Sequence, residues 1–143
     1  MRLDNCYRTS DFRKLARQRL PAPIFHYIDG GADDEITLAR NTDAFDSVDL
    51  VPNVLAGVDE IDMSVEVLGQ TLDMPLFFSP TAMQRLFHHD GEFAIADAAA
   101  KYGTLFGVST IGTRSIEELG ARNDAPKLFQ IYIHTDPGLT TDL

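Results

Sequence analysis

The spacing of hydrophobic and polar positions changes character partway along the chain. In the first fifty residues apolar side chains recur every three or four positions, the period of helices that bury one stripe. Ser10 predicts the cap of a helix over Asp11–Arg19, with Phe12, Leu15, Ala16 and Arg19 on adjacent turns and Leu20-Pro21 as its stop. A second helix fits Pro23–Asp29, since proline is tolerated in a first turn and Gly30-Gly31 ends it. Asp33 is expected to open a third, in which Ile36, Leu38, Ala39, Thr42 and Phe45 share the helical period.

After Pro52 the apolar runs become short and extended. Ser64–Leu68 and Thr71–Leu72 read as the arms of a β-hairpin around a Gly69-Gln70 turn, outside any main sheet. From Leu76 strands and helices alternate. A strand over 76–79 precedes an alanine-rich helix at about 91–102, ended by Gly103, and a strand over 104–109 follows. The capping box Ser115-Ile116-Glu117-Glu118 then starts another helix, and a third strand runs over 127–133. Near-continuous apolar strands separated by helices predict a parallel sheet covered on both faces, joined by right-handed crossovers.

Composition narrows the function classes. The 143 residues are 44% hydrophobic, enough for a core without staples. A single cysteine, Cys6, excludes an internal disulfide framework and points to a reducing compartment. The net charge of −10 opposes nucleic-acid binding, which rests on neutralising phosphates. The acids concentrate in residues 20–73, twelve against one basic side chain, but they are scattered among apolar residues and read as a solvated face. No apolar run reaches the roughly 18 residues that span a bilayer, so a soluble or at most peripheral chain is expected.

The candidate chemistry lies where the strands end. Ser79-Pro80-Thr81 follows the first strand, Ser109-Thr110 the second, and Gln130 and Tyr132 lie in the third. Ligands bind at this edge in parallel α/β folds. Strand alternation puts Leu128, Gln130 and Tyr132 on one face and Phe129, Ile131 and Ile133 on the other. A glutamine amide suits the edge of a heterocycle and a tyrosine hydroxyl suits a carboxylate. The competing reading has both satisfied by neighbouring backbone. Neither G-x-G-x-x-G nor G-x-x-x-x-G-K occurs, so Rossmann and P-loop chemistry are unsupported. The His88-His89 pair is given a loop or structural role, none of the four histidines, His26 and His134 included, is the expected base, Cys6 is a bystander thiol, and no metal site is expected.

Several phrases resemble the FMN-dependent α-hydroxy-acid dehydrogenases and oxidases, a family that includes L-lactate dehydrogenases, glycolate and lactate oxidases and mandelate dehydrogenase. They are Leu20-Pro21 through Phe25-His26-Tyr27-Ile28-Asp29-Gly30-Gly31-Ala32, then Thr37-Leu38-Ala39-Arg40-Asn41, Met74-Pro75 leading to Ser79-Pro80-Thr81-Ala82-Met83, and Phe129-Gln130-Ile131-Tyr132. The likeness runs in register from about Asp11 to the end. It implies the α/β fold of a (β/α)₈ TIM barrel with FMN across the C-terminal mouth of the strands. On that basis residues 1–50 are a helical lead, 51–73 a hairpin region, and 74–143 the first βα units, with three barrel strands. Such a barrel takes about 250 residues, so the chain is expected to be the N-terminal part of a larger enzyme.

The resemblance also assigns roles. Pro80, Thr81 and Ala82 match the loop against the flavin ring, Ser109 and Gln130 match flavin hydrogen-bonding positions, and Tyr27 and Tyr132 match the tyrosines facing substrate. Tyr27 is expected on the substrate carboxylate and Tyr132 near its hydroxyl. No catalytic residue is expected in this chain: the family's base histidine, its aspartate partner, the carboxylate-clamping arginine and the flavin-side lysine lie beyond Leu143. Ile111 stands where several members carry a bulky aromatic, and the Phe25–Gly31 wording is most similar to the lactate dehydrogenase branch. The implied reaction is oxidation of an L-2-hydroxy acid, lactate first, to the 2-keto acid, by a homo-oligomer in the cytoplasm or peripheral on the inner membrane. Oxidase and dehydrogenase both stay open for the electron acceptor. The alternative is a non-catalytic split-gene fragment or a half-barrel interaction module, motivated by a chain that ends before any helix follows its third strand.

Overall fold

The computed structural model describes residues 2–142. The chain divides into two compact units, Met1–Val58 and Asp59–Leu143. In the first, a 3₁₀ turn at Leu3–Asn5 precedes α1 (Thr9–Arg19), α2 (Ala22–Asp29) and α3 (Ile36–Asp46). The apolar stripe buries Leu15 on α1 and Phe25 on α2. Arg13 clamps α1 to α2 by donating to both carboxylate oxygens of Asp29, at 2.5 and 2.9 Å.

Two expected helix starts are displaced. Ser10 lies inside the first turn of α1 and caps nothing, because Arg8 holds the N-cap position. Asp11, one turn in, accepts instead from the Tyr7 N–H at 3.3 Å. Asp33 does not open α3 either. The chain passes through left-handed residues at Asp33 (φ 49°) and Glu35 (φ 57°), so helical geometry starts only at Ile36. The Glu35 carboxylate holds this turn by accepting the Gly31 N–H at 3.0 Å.

In the second unit, β1 (Val65–Val67) and β2 (Gln70–Leu72) form an antiparallel hairpin with Val67 opposite Gln70. The turn is therefore Leu68-Gly69, one residue earlier than expected. Both have positive φ, 52° and 74°, as a two-residue turn of matching twist requires. The βα rhythm follows as α4 (Glu92–Lys101), β3 (Phe106–Ser109), α5 (Ile116–Arg122), β4 (Lys127–Gln130) and α6 (Pro137–Thr141). β3 and β4 pair in parallel, from Phe106 opposite Lys127 to Ser109 opposite Gln130.

The strand expected at 76–79 is reduced to one parallel bridge, Phe78 to Phe106. Prolines at 75 and 80 bracket it without N–H groups, and the Leu76 N–H turns back onto the Met74 carbonyl at 2.8 Å. Phe78 still donates to Leu105 O at 3.0 Å and accepts from the Gly107 N–H at 2.8 Å, so it runs alongside β3. The third strand is also shorter, ending at Gln130 rather than 133. Beyond it the Tyr132 N–H bonds a side chain, Thr110 Oγ1, at 3.0 Å instead of a ladder partner. A helix does follow that strand: Asp136 caps α6 by accepting from the Gly138 N–H at 2.9 Å, with Pro137 in its first turn.

The core lies between the helices and β3. Ala96, Ala99, Phe106, Val108 and Leu119 are buried together, with Phe78, Phe93 and Phe129 packed around them. Alanines on the inner face of α4 let that helix approach the strand closely. Arg122 on α5 donates to both carboxylate oxygens of Asp97 on α4, at 2.9 and 2.7 Å, and closes the outer side.

Candidate functional site at the strand ends

The parallel pairing of β3 and β4 brings their last residues together. Ser109, buried, donates from Oγ to Oε1 of half-buried Gln130 at 3.3 Å, and the same Oγ accepts the Ile111 N–H at 3.3 Å. Thr110 Oγ1 donates to the Gln130 backbone carbonyl at 2.5 Å and accepts from the Tyr132 N–H. Ser109 thus fixes the orientation of the Gln130 amide by holding its oxygen. The Nε2 donors have no partner among the described residues.

The segment Pro80–Ala82 lies alongside. A Cβ on Gly107 would sit 2.7 Å from Pro80 Cδ and 2.9 Å from Pro80 N, so only glycine lets this segment cross the strand so closely. Gln84 Nε2 donates to Thr81 O at 3.2 Å, and the Met83 N–H to Ile111 O at 3.1 Å, with Met83 left-handed at φ 50°. The N–H groups of Thr81 and Ala82 make no hydrogen bond among the described residues. Behind the loop sits the buried carboxylate of Glu92. Burial pushes its pKa up, but hydrogen bonds from the Thr113 hydroxyl and N–H and from backbone N–H groups hold it below the usual range.

A groove of about 340 Å³ opens at this edge, lined by Ser109, Thr110, Thr113, Arg114 and Phe129 among others. Its cation, Arg114, is engaged by Glu118 at 3.1 Å and stacks over the Phe93 ring at 4.4 Å.

Of the residues expected at the site, Pro80, Thr81, Ala82, Ser109 and Gln130 converge in the second unit, and Tyr132 lies just past β4, exposed. Because β4 stops at Gln130, strand alternation does not put Tyr132 on the Gln130 face as expected. Tyr27 is exposed on α2 of the first unit. A hollow of about 590 Å³ in that unit is lined by Asp29, Asp34 and Glu35, and its one lining cation, Arg13, is bound to Asp29. That lining repels an anionic substrate. Among the histidines, the His88 and His89 rings lie 4.3 Å apart, tilted by 36°, beside Asp90, all three exposed. Sequence reasoning did not single out Gly107, Glu92 or Thr113; an isolated glycine within an apolar strand was the available signal for the first.

A backbone loop with free N–H donors beside a preset amide, at the C-terminal edge of parallel strands, suits a flat heterocycle rich in carbonyl and ring-nitrogen acceptors. The family model for FMN-dependent dehydrogenases matches residues 16–143, and the chain belongs to that family. Its cofactor is FMN. Among curated relatives, glycolate oxidase 1 of Oryza sativa subsp. indica is 38% identical over 133 residues, covering 93% of this chain and 36% of that protein. A Pediococcus acidilactici protein assigned as a lactate oxidase superposes with a TM-score of 0.81 at 37% identity, over 89% of this chain and 36% of that one. A mandelate oxidase variant solved with an FMN adduct gives a TM-score of 0.84 at 31% identity, over 92% of this chain and 40% of that one. The chain therefore spans about a third of the length of the relatives it matches.

Proposed function

We propose that this chain supplies one rim of the flavin site in a (β/α)₈ barrel that oxidises an L-2-hydroxy acid, L-lactate first, to the 2-keto acid. The carrying observation is the Ser109–Gln130 pair at the ends of adjacent parallel strands, with Gln130 Nε2 and the Thr81 and Ala82 N–H groups left as donors. Those donors match a flavin edge in number and kind. FMN, when bound, accepts the two electrons that oxidation of the hydroxy acid releases. The protein's share is to orient the substrate, exclude water and remove a proton. Gln130 and the 80–82 segment hold the ring and Tyr132 orients the substrate hydroxyl, while the family resemblance assigns Tyr27 to the substrate carboxylate. By the family resemblance, proton removal and carboxylate clamping belong to a histidine and an arginine in other parts of the enzyme. Lactate is favoured over glycolate and mandelate by the Phe25–Gly31 wording.

Titrating FMN against the chain, followed by flavin fluorescence, tests this reading. Saturable binding, weakened about tenfold by Gln130→Leu, is expected from the loss of one or two hydrogen bonds. Absence of saturable binding refutes it. Anaerobic L-lactate should bleach the bound flavin only when the base and clamp are supplied, and faster than glycolate or mandelate.

A half-barrel that completes itself against a second chain is the other reading. It draws on the exposed apolar side chains of Leu76, Phe77, Leu128 and Ile131 along the sheet. Sedimentation of the chain as a stable dimer or larger complex would favour it.

A further inference from the structure

Among the described residues of the second unit, Glu92 carries the one buried ionisable side chain, and neither flavin nor substrate has been assigned to it. It stands at the first position of α4, where the helix dipole favours negative charge. Its bonds, however, leave the helix. Oε1 accepts the Thr113 N–H at 2.7 Å and the Gln84 N–H at 3.3 Å, and Oε2 accepts the Thr113 hydroxyl at 2.5 Å. Gln84 opens a 3₁₀ turn, Gln84–Leu86, that ends the segment after the Phe78 bridge, and Thr113 belongs to the loop after β3. A single side chain therefore ties the segment that carries Ala82 to the loop that follows Ser109. The Met83 N–H bond to Ile111 O is the only other hydrogen bond between these loops among the described residues.

We propose that Glu92 is a positioning residue of the flavin site, setting the register of the 80–83 loop against the 110–113 loop so that the Thr81 and Ala82 N–H groups and the Ser109–Gln130 pair face one ring. This rests on the flavin reading above. The role depends on where the oxygens lie more than on their charge. A glutamine keeps Oε1 on the two N–H groups, and the Thr113 hydroxyl can rotate to accept from the amide nitrogen. An aspartate keeps the charge but draws the oxygens back by one carbon.

The test compares Glu92→Gln, Glu92→Asp and Glu92→Ala in the whole chain, reading amide hydrogen exchange at Gln84 and Thr113, FMN affinity, and the visible spectrum of the bound flavin. Aspartate and alanine should speed exchange at both amides about tenfold or more, weaken FMN about ten- to a hundredfold and shift the flavin bands, with Gly107 in the ladder still protected. Glutamine should restore all three readouts to within a few-fold. If the alanine variant does not fold, the contrast between glutamine and aspartate decides. Exchange at Gln84 and Thr113 that ignores Glu92→Asp, or FMN affinity and spectrum unmoved while those amides open, overturns the positioning role. A wild-type chain that takes no FMN fails the flavin reading itself, and the positioning role falls with it.

Discussion

Two glycine-to-alanine substitutions, chemically identical, should change stability in opposite directions. At Gly107, in the middle of buried β3, the new methyl would meet Pro80 Cδ at 2.7 Å, Pro80 N at 2.9 Å and Phe78 O at 3.0 Å. None of these atoms belongs to a side chain that can rotate away, so the 78–80 segment must move as backbone. Overpacking of this kind costs about 1–3 kcal/mol. The alanine recovers roughly 0.5–1 kcal/mol by restricting the unfolded chain, leaving a net loss between about 0 and 2.5 kcal/mol, centred at about 1.3 kcal/mol. With a urea slope of about 1–3 kcal/mol/M, the unfolding midpoint should fall by roughly 0.5–1 M. At Gly120, on the outer side of α5, no atom lies within 4 Å of the added methyl. There the gain in helix propensity of about 0.5–1 kcal/mol stands alone, and the midpoint should rise by a few tenths molar. Urea titrations of both variants with the same slope decide the matter. A Gly107→Ala chain as stable as the parent would show that the 78–80 segment does not lie against β3, and would remove the framework on which Thr81 and Ala82 are placed.

Leu119→Ala, at a fully buried position, should lower stability by about 2–5 kcal/mol in thermal melts; a loss below about 1 kcal/mol would place the core elsewhere. Ser115→Ala removes the side-chain half of the capping box on α5, so about 1 kcal/mol should be lost, with faster exchange at the Glu118 amide. Glu92 is held below its usual value of 4.5, so on acidification the unfolded chain takes up this proton before the folded one. Its contribution is therefore complete above that pH and is lost as pH falls through the lower folded value. Glu92→Gln should flatten the acid limb of a stability–pH curve, and an unchanged limb would contradict the assignment.

The helices and the βα alternation were readable because their signals are local: apolar period, alanine content, and a capping box at Ser115 that the structure forms in full. Ser109 and Gln130 were singled out by two routes, as polar residues at parallel strand ends and as positions the family resemblance assigns to the flavin, and the structure brings the two side chains together. What failed was set by contacts distant in sequence or by backbone geometry. Asp33 has the composition of a cap but takes a left-handed turn, and Pro75 and Pro80 reduce a convincing apolar run to one bridge. The helix at Pro137 was missed although Asp136-Pro137 carries the signature of a capped start. Glu92 and Thr113 are 21 residues apart, and nothing local announces their bond.

The hairpin lies at the opposite end of the sheet from all of this. Leu68 and Gln70 share a hollow with Leu105, Pro126 and Lys127, where β3 and β4 begin, and the Asp73 N–H binds Gly103 O just ahead of β3. The donor-bearing strand ends and the hairpin therefore occupy separate poles of the second unit, and the Leu68-Gly69 tip projects with no atom within 4 Å of a Cβ built on Gly69. That tip is a handle. A fluorophore, affinity tag or surface tether attached there would report on or immobilise the protein from the pole away from Ser109 and Gln130, with the donor edge left open to small molecules.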